Sequence, residues 1–127
     1  MRQSYRMFRS HVLQRLIPRS RVPLDLARPV EVDGYLSMTA GIGESARLCV
    51  DALAADNIAL RIGDVSTHAD EIRDVEWQRP AEAAGLPSAR ILHLNPPMLP
   101  RGILKLGLGA FSKTFNIGYF AWELEDI

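Results

Sequence analysis

The sequence predicts an α/β domain built on a parallel sheet of about four strands. Short apolar runs at residues 30–36, 58–62, 90–94 and 115–120 are separated by stretches of helical or loop-like composition. Such alternation is typical of a parallel sheet, because the chain must cross back over the sheet between successive parallel strands. At 127 residues the chain has room for one domain, and its balance of apolar and charged residues is that of a folded protein.

The first strand, residues 30–36, leads through a loop of small residues, 37–43, into a helix that begins at Glu44. Alanine and leucine are frequent in this helix, and Asn57 can end it because asparagine tolerates the left-handed conformation. Cys49 lies within the helix and is predicted to be a packing residue, since no base or metal ligand is close to it in the sequence.

The remaining elements continue the alternation. They are a second strand, a polar and acidic surface loop, a helical turn, a third strand, an irregular helix and a fourth strand, at residues 58–62, 64–78, 80–84, 90–94, 98–111 and 115–120. The helical turn is predicted from Pro80 near its start and Gly85 as its stop. With right-handed crossovers, this order of elements predicts a Rossmann-like domain.

Residues 1–29 form a basic leader that differs from the rest of the chain. They hold seven arginines and one acid, a net charge of +6, whereas residues 30–127 hold eight basic and fourteen acidic residues, a net charge of −6. Between residues 5 and 17, apolar side chains recur every three or four positions with arginines among them, which predicts a short amphipathic helix.

Three interpretations of this leader stay open. It is a loosely ordered tail, a helix that binds a membrane surface or a partner protein, or a cleaved transit peptide. Nucleic acid is not an expected partner, because the remainder of the chain is acidic and would repel phosphates.

The run Gly41-Ile42-Gly43-Glu44-Ser45-Ala46 matches the pattern G-x-G-x-x-A between a strand and a helix. Glycines there let backbone N–H groups approach a phosphate at the positive end of the helix dipole. Asp64 follows Gly43 by 21 residues, where a dinucleotide-binding domain keeps its ribose-binding acid. Two features count against a dinucleotide: the loop before Gly41 is long, and Glu44 would repel a pyrophosphate. A tight turn without a ligand is the plain alternative.

Three segments together resemble the N-terminal half of the bacterial family-4 (group 1) retaining glycosyltransferases. They are the stretch from Gly34-Tyr35-Leu36 to Arg47, then Ile91-Leu92-His93-Leu94-Asn95, then Asn116-Ile117-Gly118-Tyr119-Phe120-Ala121-Trp122-Glu123-Leu124. The last of the three is the most specific. The resemblance covers residues 30–127 and leaves the leader unmatched.

The resemblance implies a GT-B fold, in which two Rossmann-like domains face each other across a cleft. The N-terminal domain mainly receives the acceptor, and the C-terminal domain holds most of the nucleotide-sugar site. Residues 30–127 would be an incomplete N-terminal domain of a cytoplasmic enzyme of polysaccharide biosynthesis. It would transfer sugar, with retention, from a nucleotide-sugar to a glycan or lipid-linked acceptor, and no cofactor or metal is expected. The chain alone is expected to be inactive.

The resemblance also assigns roles to residues at the carboxyl ends of the predicted strands, where ligands of open α/β sheets bind. Gly41, Ile42, Gly43 and Glu44 would approach the donor phosphate or the transferred sugar. Of His93 and Asn95, the asparagine would hydrogen-bond a sugar hydroxyl. Trp122 would stack on a sugar face, and Glu123 would bind acceptor hydroxyls or a cation. Three of these residues also have a purely structural explanation. His93 would be a core histidine with its hydrogen bonds satisfied, Trp122 would pack beneath the sheet, and Glu123 would cap a helix or anchor a loop.

Two other function classes remain open beside the transferase. One is a non-catalytic α/β module that binds a partner or a nucleotide, and the other is a fragment of a dinucleotide-dependent oxidoreductase. The expected partners are a nucleotide-sugar, a glycan acceptor and, through residues 1–29, a membrane surface. A four-stranded sheet with an unpaired edge and uncovered apolar faces also predicts marginal stability or self-association.

Overall fold

The computed structural model describes residues 22–39, 41–66, 75–96 and 98–119. Four strands in these ranges form one all-parallel sheet: β1 (Val30–Gly34), β2 (Leu60–Asp64), β3 (Ala89–His93) and β4 (Phe115–Tyr119). The strand order is β2-β1-β3-β4. The helices are α1 (Gly41–Ala55), α2 (Leu99–Leu106) and α3 (Leu108–Phe111). The predicted α/β class with a four-stranded parallel sheet is confirmed, and it is consistent with a partial Rossmann-like domain.

The register of the sheet sorts the side chains into two layers. Val32 lies between Ile62 on β2 and Ile91 on β3, and Ile91 pairs with Ile117 on β4. Successive residues of a strand point to opposite faces, so these apolar residues share one face, and Asp33 with its partners lies on the other. Helix α1 packs on the first face, and α2 and α3 pack on the second.

Each face of the sheet has its own apolar core. On the α1 side the buried residues are Val32, Leu36, Ala46, Val50 and Leu60. On the α2 side they are Tyr35, Val65, Leu92, Leu94, Ile103 and Phe111. Residues from all three helices therefore hold the sheet, but on the α1 side the side chains of β4 stay largely exposed.

Helix α1 begins three residues earlier than the sequence predicts, at Gly41 instead of Glu44. The glycines at 41 and 43 are therefore part of its first turn and not of a loop. At the other end Asn57 has a φ of 57°, the left-handed conformation expected of a residue that ends a helix.

The connection from β2 to β3 contains no helical turn at residues 80–84, so that prediction is wrong. The segment instead runs along the outer edge of β2, where the Ala83 N–H donates to the Leu60 carbonyl at 2.7 Å. The Ile62 N–H donates to Glu82 Oε1, also at 2.7 Å. The segment is extended because it satisfies main-chain groups of β2. A helical turn at residues 80–84 would leave those groups unpaired.

Other predicted boundaries are close to those observed. The second strand continues to Asp64, residues 65–66 and 75–78 of the predicted loop have no regular structure, and residues 67–74 lie outside the described ranges. The irregular helix of residues 98–111 is two helices, α2 and α3, which are separated at Gly107 with a φ of 90°.

The described part of the leader, residues 22–29, contains no helix or strand, and residues 1–21 with their predicted amphipathic helix lie outside the described ranges. Arg28 anchors the segment by donating to the Pro87 carbonyl at 3.1 Å, and the Ser88 hydroxyl donates to the Asp25 carbonyl at 2.6 Å. The leader thus enters beside the start of β3. Within the described ranges, no helix has the length and apolarity to cross a membrane.

Two carboxylates of β1 are buried beneath α2 and α3 and are held by an arginine of β3. Arg90 Nη1 donates to Glu31 Oε1 at 2.7 Å and to Asp33 Oδ2 at 3.1 Å. Arg61 Nε on β2 lies 3.4 Å from the other oxygen of Glu31. Phe111 lies over the Arg90 guanidinium at 5.4 Å. The cluster thus ties three neighbouring strands together, because burial of the Glu31 carboxylate without an arginine would be strongly unfavourable.

Asp33 is fully buried in this cluster. Burial raises its pKa from 3.8 to about 8; the charge of Arg90 opposes that rise, and a hydrogen bond with Glu31 adds to it. The native state therefore retains a proton on Asp33 over a pH range in which the unfolded chain has released it. A proton that only the native state holds makes stability fall as the pH rises through that range.

We expect the free energy of unfolding to fall between about pH 4 and pH 8, by up to about 1.4 kcal/mol per pH unit, because the folded state binds one proton more. In Asp33→Asn this contribution is absent, so its stability should depend less steeply on pH. Urea titrations at several pH values measure the difference. Asp56→Asn, which changes an exposed acid, is the control. Parallel pH profiles for wild type and Asp33→Asn would contradict the assignment.

Candidate functional site

A pocket of about 560 Å³ opens where α1 passes the carboxyl ends of β3 and β4. Its lining residues come from α1, β3 and β4, and they are Gly41, Glu44, Ser45, Leu48, Cys49, Ile91, His93 and Tyr119. The pocket lies on the α1 side of the sheet, between the helix and the exposed strand β4. Its position at the ends of parallel strands is the one where open α/β sheets bind ligands.

His93 ends β3 and is the most buried polar side chain of the pocket, with 3% of its surface exposed. Its Nδ1 lies 3.3 Å from the Ser45 hydroxyl oxygen. Its ring lies against Tyr119, with 4.7 Å between centroids. Burial lowers the pKa of His93 below 6.5, so the ring is neutral at pH 7.

The second nitrogen of His93 is not satisfied. Nε2 is buried and has no hydrogen-bond partner among the described residues. A neutral imidazole has one donor and one acceptor nitrogen, and a buried polar atom without a partner is costly. The structural alternative for His93 is a core histidine with both ring nitrogens hydrogen-bonded. The residue is buried as that alternative requires, but among the described residues only its Nδ1 has a partner.

Glu44 gives the pocket its charge. It is exposed in the first turn of α1, where the helix dipole stabilises a carboxylate. The lining residues within the described ranges include no lysine or arginine. The pocket therefore attracts hydroxyl donors and cations more readily than phosphates.

The two glycines of the G-x-G pattern have different environments. A Cβ on Gly43 would overlap the Tyr35 carbonyl oxygen and lie 2.6 Å from that of Met38, whereas a Cβ on Gly41 would meet nothing within 4 Å. Gly43 thus permits the close approach of α1 to the chain leaving β1. Ile42 packs against the core on the α2 side. Of the four predicted residues of this run, Gly41 and Glu44 line the pocket, and Ile42 and Gly43 do not.

Arg47 completes this contact between α1 and the end of β1. Its side chain is buried, and Nη1 donates to the carbonyls of Leu36 at 2.9 Å and Met38 at 2.7 Å. These carbonyls follow a strand end, where they have no ladder partner. The arginine therefore satisfies them and fixes the rotation of α1 about its axis.

Asn95 follows β3 by two residues and does not line the pocket. Its main-chain carbonyl accepts from the N–H groups of Met98 at 2.8 Å and Leu99 at 3.1 Å. Its side-chain Oδ1 is buried and has no partner among the described residues. The predicted sugar-binding Trp122 and Glu123 lie outside the described ranges.

Sequence reasoning did not select Ser45, Leu48, Cys49, Ile91 or Tyr119 as pocket residues. Tyr119 pairs in the sheet with His93, and that pairing follows from the predicted parallel order once the register is known. Burial raises the pKa of the Cys49 thiol, which favours the predicted packing role over reactivity. Among the described residues, no three His, Cys, Asp or Glu side chains are grouped to hold a metal ion.

Asp64, the candidate ribose-binding acid, is already bound within the protein. It accepts hydrogen bonds from the Ser37 hydroxyl, from the Ser66 N–H at 3.0 Å and from Arg79 at 3.1 Å. Burial opposes its ionisation, but these hydrogen bonds and the charge of Arg79 hold its pKa below its usual value. The carboxylate is thus engaged with protein groups and does not line the pocket.

Comparisons of the chain with protein-family models, with curated proteins and with solved structures found no match.

The matched pair Gly43→Ala and Gly41→Ala tests whether the glycine pattern serves packing. Gly43→Ala should lower the free energy of unfolding by at least about 2 kcal/mol, because its Cβ meets main-chain oxygens that cannot move aside easily. Gly41→Ala should be neutral or stabilising by up to about 1 kcal/mol, because alanine favours the helix more than glycine does. Denaturant titrations measure both, and equal effects of the two variants would contradict this account.

Proposed function

We propose that the chain is part of a retaining glycosyltransferase of the family that residues 30–127 resemble, and that its pocket receives a sugar. The observation that carries this proposal is a pocket lined by the Glu44 carboxylate, the Tyr119 ring and His93, whose buried Nε2 has no hydrogen-bond partner in the described part of the chain. A polar atom left without a partner in a pocket is suited to a ligand that supplies the missing hydrogen bond.

A sugar ring has groups for each of these side chains. Its hydroxyls donate to the Glu44 carboxylate and hydrogen-bond with His93, which is neutral and can use Nε2 as donor or acceptor. Its apolar C–H face suits the exposed surfaces of Tyr119 and Leu48. Tyr119 is thus in a position to do what the resemblance implied for Trp122.

The charge of the pocket supports an uncharged sugar over a nucleotide phosphate. Among the described residues, Glu44 is the only charged side chain that lines it, since His93 is neutral. A diphosphate would meet a carboxylate and no compensating cation, which weakens binding in a partly buried site. The nucleotide of the donor would accordingly bind to a second domain, as the resemblance implies.

In this proposal, the chain contributes to transfer by holding the sugar hydroxyls in place. Orientation of two reactants accounts for a large part of the rate of group transfer. Stabilisation of the leaving phosphate would come from elsewhere, because the described residues that line this pocket include no cation. The isolated chain would then bind sugars and would not transfer them.

Binding of neutral methyl hexopyranosides, UDP and NAD to the ¹⁵N-labelled full chain, followed by NMR, tests the proposal. We expect the glycosides to shift the amide signals of Ser45, His93 and Tyr119. Tyr119→Ala should weaken this binding by about three- to tenfold, the usual range for loss of an aromatic contact. Leu104→Ala, which truncates an exposed side chain on α2, should leave it unchanged.

The probes separate the function classes. Shifts of these signals with NAD and not with the glycosides would favour the oxidoreductase fragment. An absence of shifts with all three classes of probe would contradict sugar binding and favour a module that binds a protein partner.

The proposal includes attachment of a cytoplasmic enzyme to a membrane surface through the leader. Six arginines and no acid lie in residues 1–21, and each arginine near an anionic surface contributes about 1 kcal/mol of attraction. We expect the full chain to sediment with phosphatidylserine-containing vesicles and not with phosphatidylcholine vesicles. A chain lacking residues 1–21 keeps the Asp25 and Arg28 contacts with the domain and should not sediment. Equal sedimentation with and without residues 1–21 would contradict attachment through the leader.

A further inference from the structure

In the described part of the chain, strand β4 is an open edge of the sheet. It is the last strand in the order β2-β1-β3-β4, and no strand in the described ranges lies on its outer side. The opposite edge differs, because residues 82 and 83 bind the main chain and cover β2. Natural proteins usually protect an open edge with charges, proline or a bulge. The β4 sequence, Phe-Asn-Ile-Gly-Tyr, contains no charged residue and no proline.

The hydrogen-bonding groups that β4 leaves open can be assigned from its ladder. The Phe115 N–H donates to the Ser88 carbonyl at 2.8 Å, so Phe115 bonds inward to β3. The direction of these groups alternates along a strand. Ile117 and Tyr119 therefore also bond inward, and the N–H and C=O groups of Asn116 and Gly118 point outward.

The side chains on the α1 face of β4 are apolar and exposed. Phe115, Ile117 and Tyr119 have 41%, 40% and 53% of their surfaces accessible, and Leu48 beside them on α1 has 61%. In the described ranges, no helix covers the α1 face of β4. Contiguous exposure of this kind marks an interaction surface.

We propose that a second copy of this chain pairs with β4, antiparallel and centred on Ile117, so that two sheets join into one of eight strands. In this register Ile117 faces its own copy, and Phe115 faces Tyr119 of the second copy. On the other face Asn116 faces Gly118. The β4 sequence is thus self-complementary: aromatic and aliphatic side chains meet on one face, and a larger residue meets glycine on the other.

The outward main-chain groups require the same register. Asn116 and Gly118 of the two copies form hydrogen-bonded pairs, each exchanging two N–H···O=C bonds. The Ile117 pair and the two Phe115–Tyr119 pairs then occupy the non-hydrogen-bonded positions, where side chains across an antiparallel pair are closest. Such a contact has a two-fold axis and closes on itself, because the β2 edges are covered.

The charge of the chain does not oppose this contact. The full chain has 15 basic and 15 acidic residues and a net charge of zero, which removes the general repulsion that keeps many small domains apart. The contact is small compared with a standard interface, so the dimer should be weak, with a dissociation constant of roughly 1–100 μM. The inference does not rest on sugar binding, and it concerns the chain of residues 1–127 with β4 at the edge of its sheet.

Sedimentation velocity of the full chain over that concentration range tests the dimer. We expect a monomer–dimer equilibrium, which Ile117→Lys should weaken at least about tenfold, because two ammonium groups would then face each other across the axis. Leu104→Lys is the matched control, since it places the same charge at an exposed leucine of α2 and should leave the equilibrium unchanged. A monomer throughout the range, open-ended aggregation, or an equal effect of both variants would overturn the proposal.

The register is tested separately by a disulfide. In a Cys49→Ala background, the only native cysteine is absent, and Ile117→Cys places two thiols on the two-fold axis at a distance that a disulfide can bridge. We expect a covalent dimer after mild oxidation, and none from Leu104→Cys in the same background. A dimer that fails to cross-link through residue 117 would overturn the pairing centred there.

Discussion

The close contact between the first turn of α1 and the chain leaving β1 decides the rest of the site. Gly43 lets the helix approach until only hydrogen fits between it and the main chain of Tyr35. Arg47 then satisfies the carbonyls of Leu36 and Met38. With depth and rotation both fixed, Glu44, Ser45 and Leu48 face β3 and β4, while Ala46 and Val50 face the core. The pocket is therefore a consequence of helix packing.

This constraint gives the glycine pattern a meaning different from phosphate binding. In a dinucleotide-binding turn the glycines clear space for a ligand, whereas here Gly43 clears space for the protein's own backbone. The sequence pattern is the same because both uses require a missing Cβ at a strand–helix junction. Glu44, which would be unfavourable beside a pyrophosphate, is compatible with a pocket that binds hydroxyls.

The strand pattern, the parallel order and the long first helix were predictable because hydrophobic periodicity is local. The end of β2 was not, because Gly63 and Asp64 are ordinarily strand-ending residues and are held in the ladder by pairing with Asp33 and Gly34. Residues 80–84 have local helical signals, but the unpaired edge of β2 draws them into an extended path. Tyr119 and Ser45 join the site through the register of β3 with β4 and the rotation of α1, which are non-local. Of the predicted site residues that the structure describes, Gly41, Glu44 and His93 line the pocket. Ile42, Gly43 and Asn95 do not, because closeness to a strand end does not fix where a side chain points.

The pocket and the open edge have one cause, the uneven cover of the two faces. On the face of Asp33, α2 and α3 bring Phe111 over Arg90 and bury the ion cluster. On the opposite face, α1 packs on β1, β2 and part of β3 and leaves β4 exposed, so that the helix surface at Leu48 stands above Ile91, Ile117 and Tyr119. The side of the pocket formed by α1 presents polar groups from the first turn of the helix, and the side formed by the strands consists of Ile91, Tyr119 and the neutral His93. A sugar in this pocket would contact both the first turn of α1 and the strands, whereas a second strand would contact only the outer edge of β4. Tyr119 lies both in the pocket and on the edge strand. A second chain paired with β4 would therefore extend the strand side of the pocket and leave the polar groups of α1 unchanged.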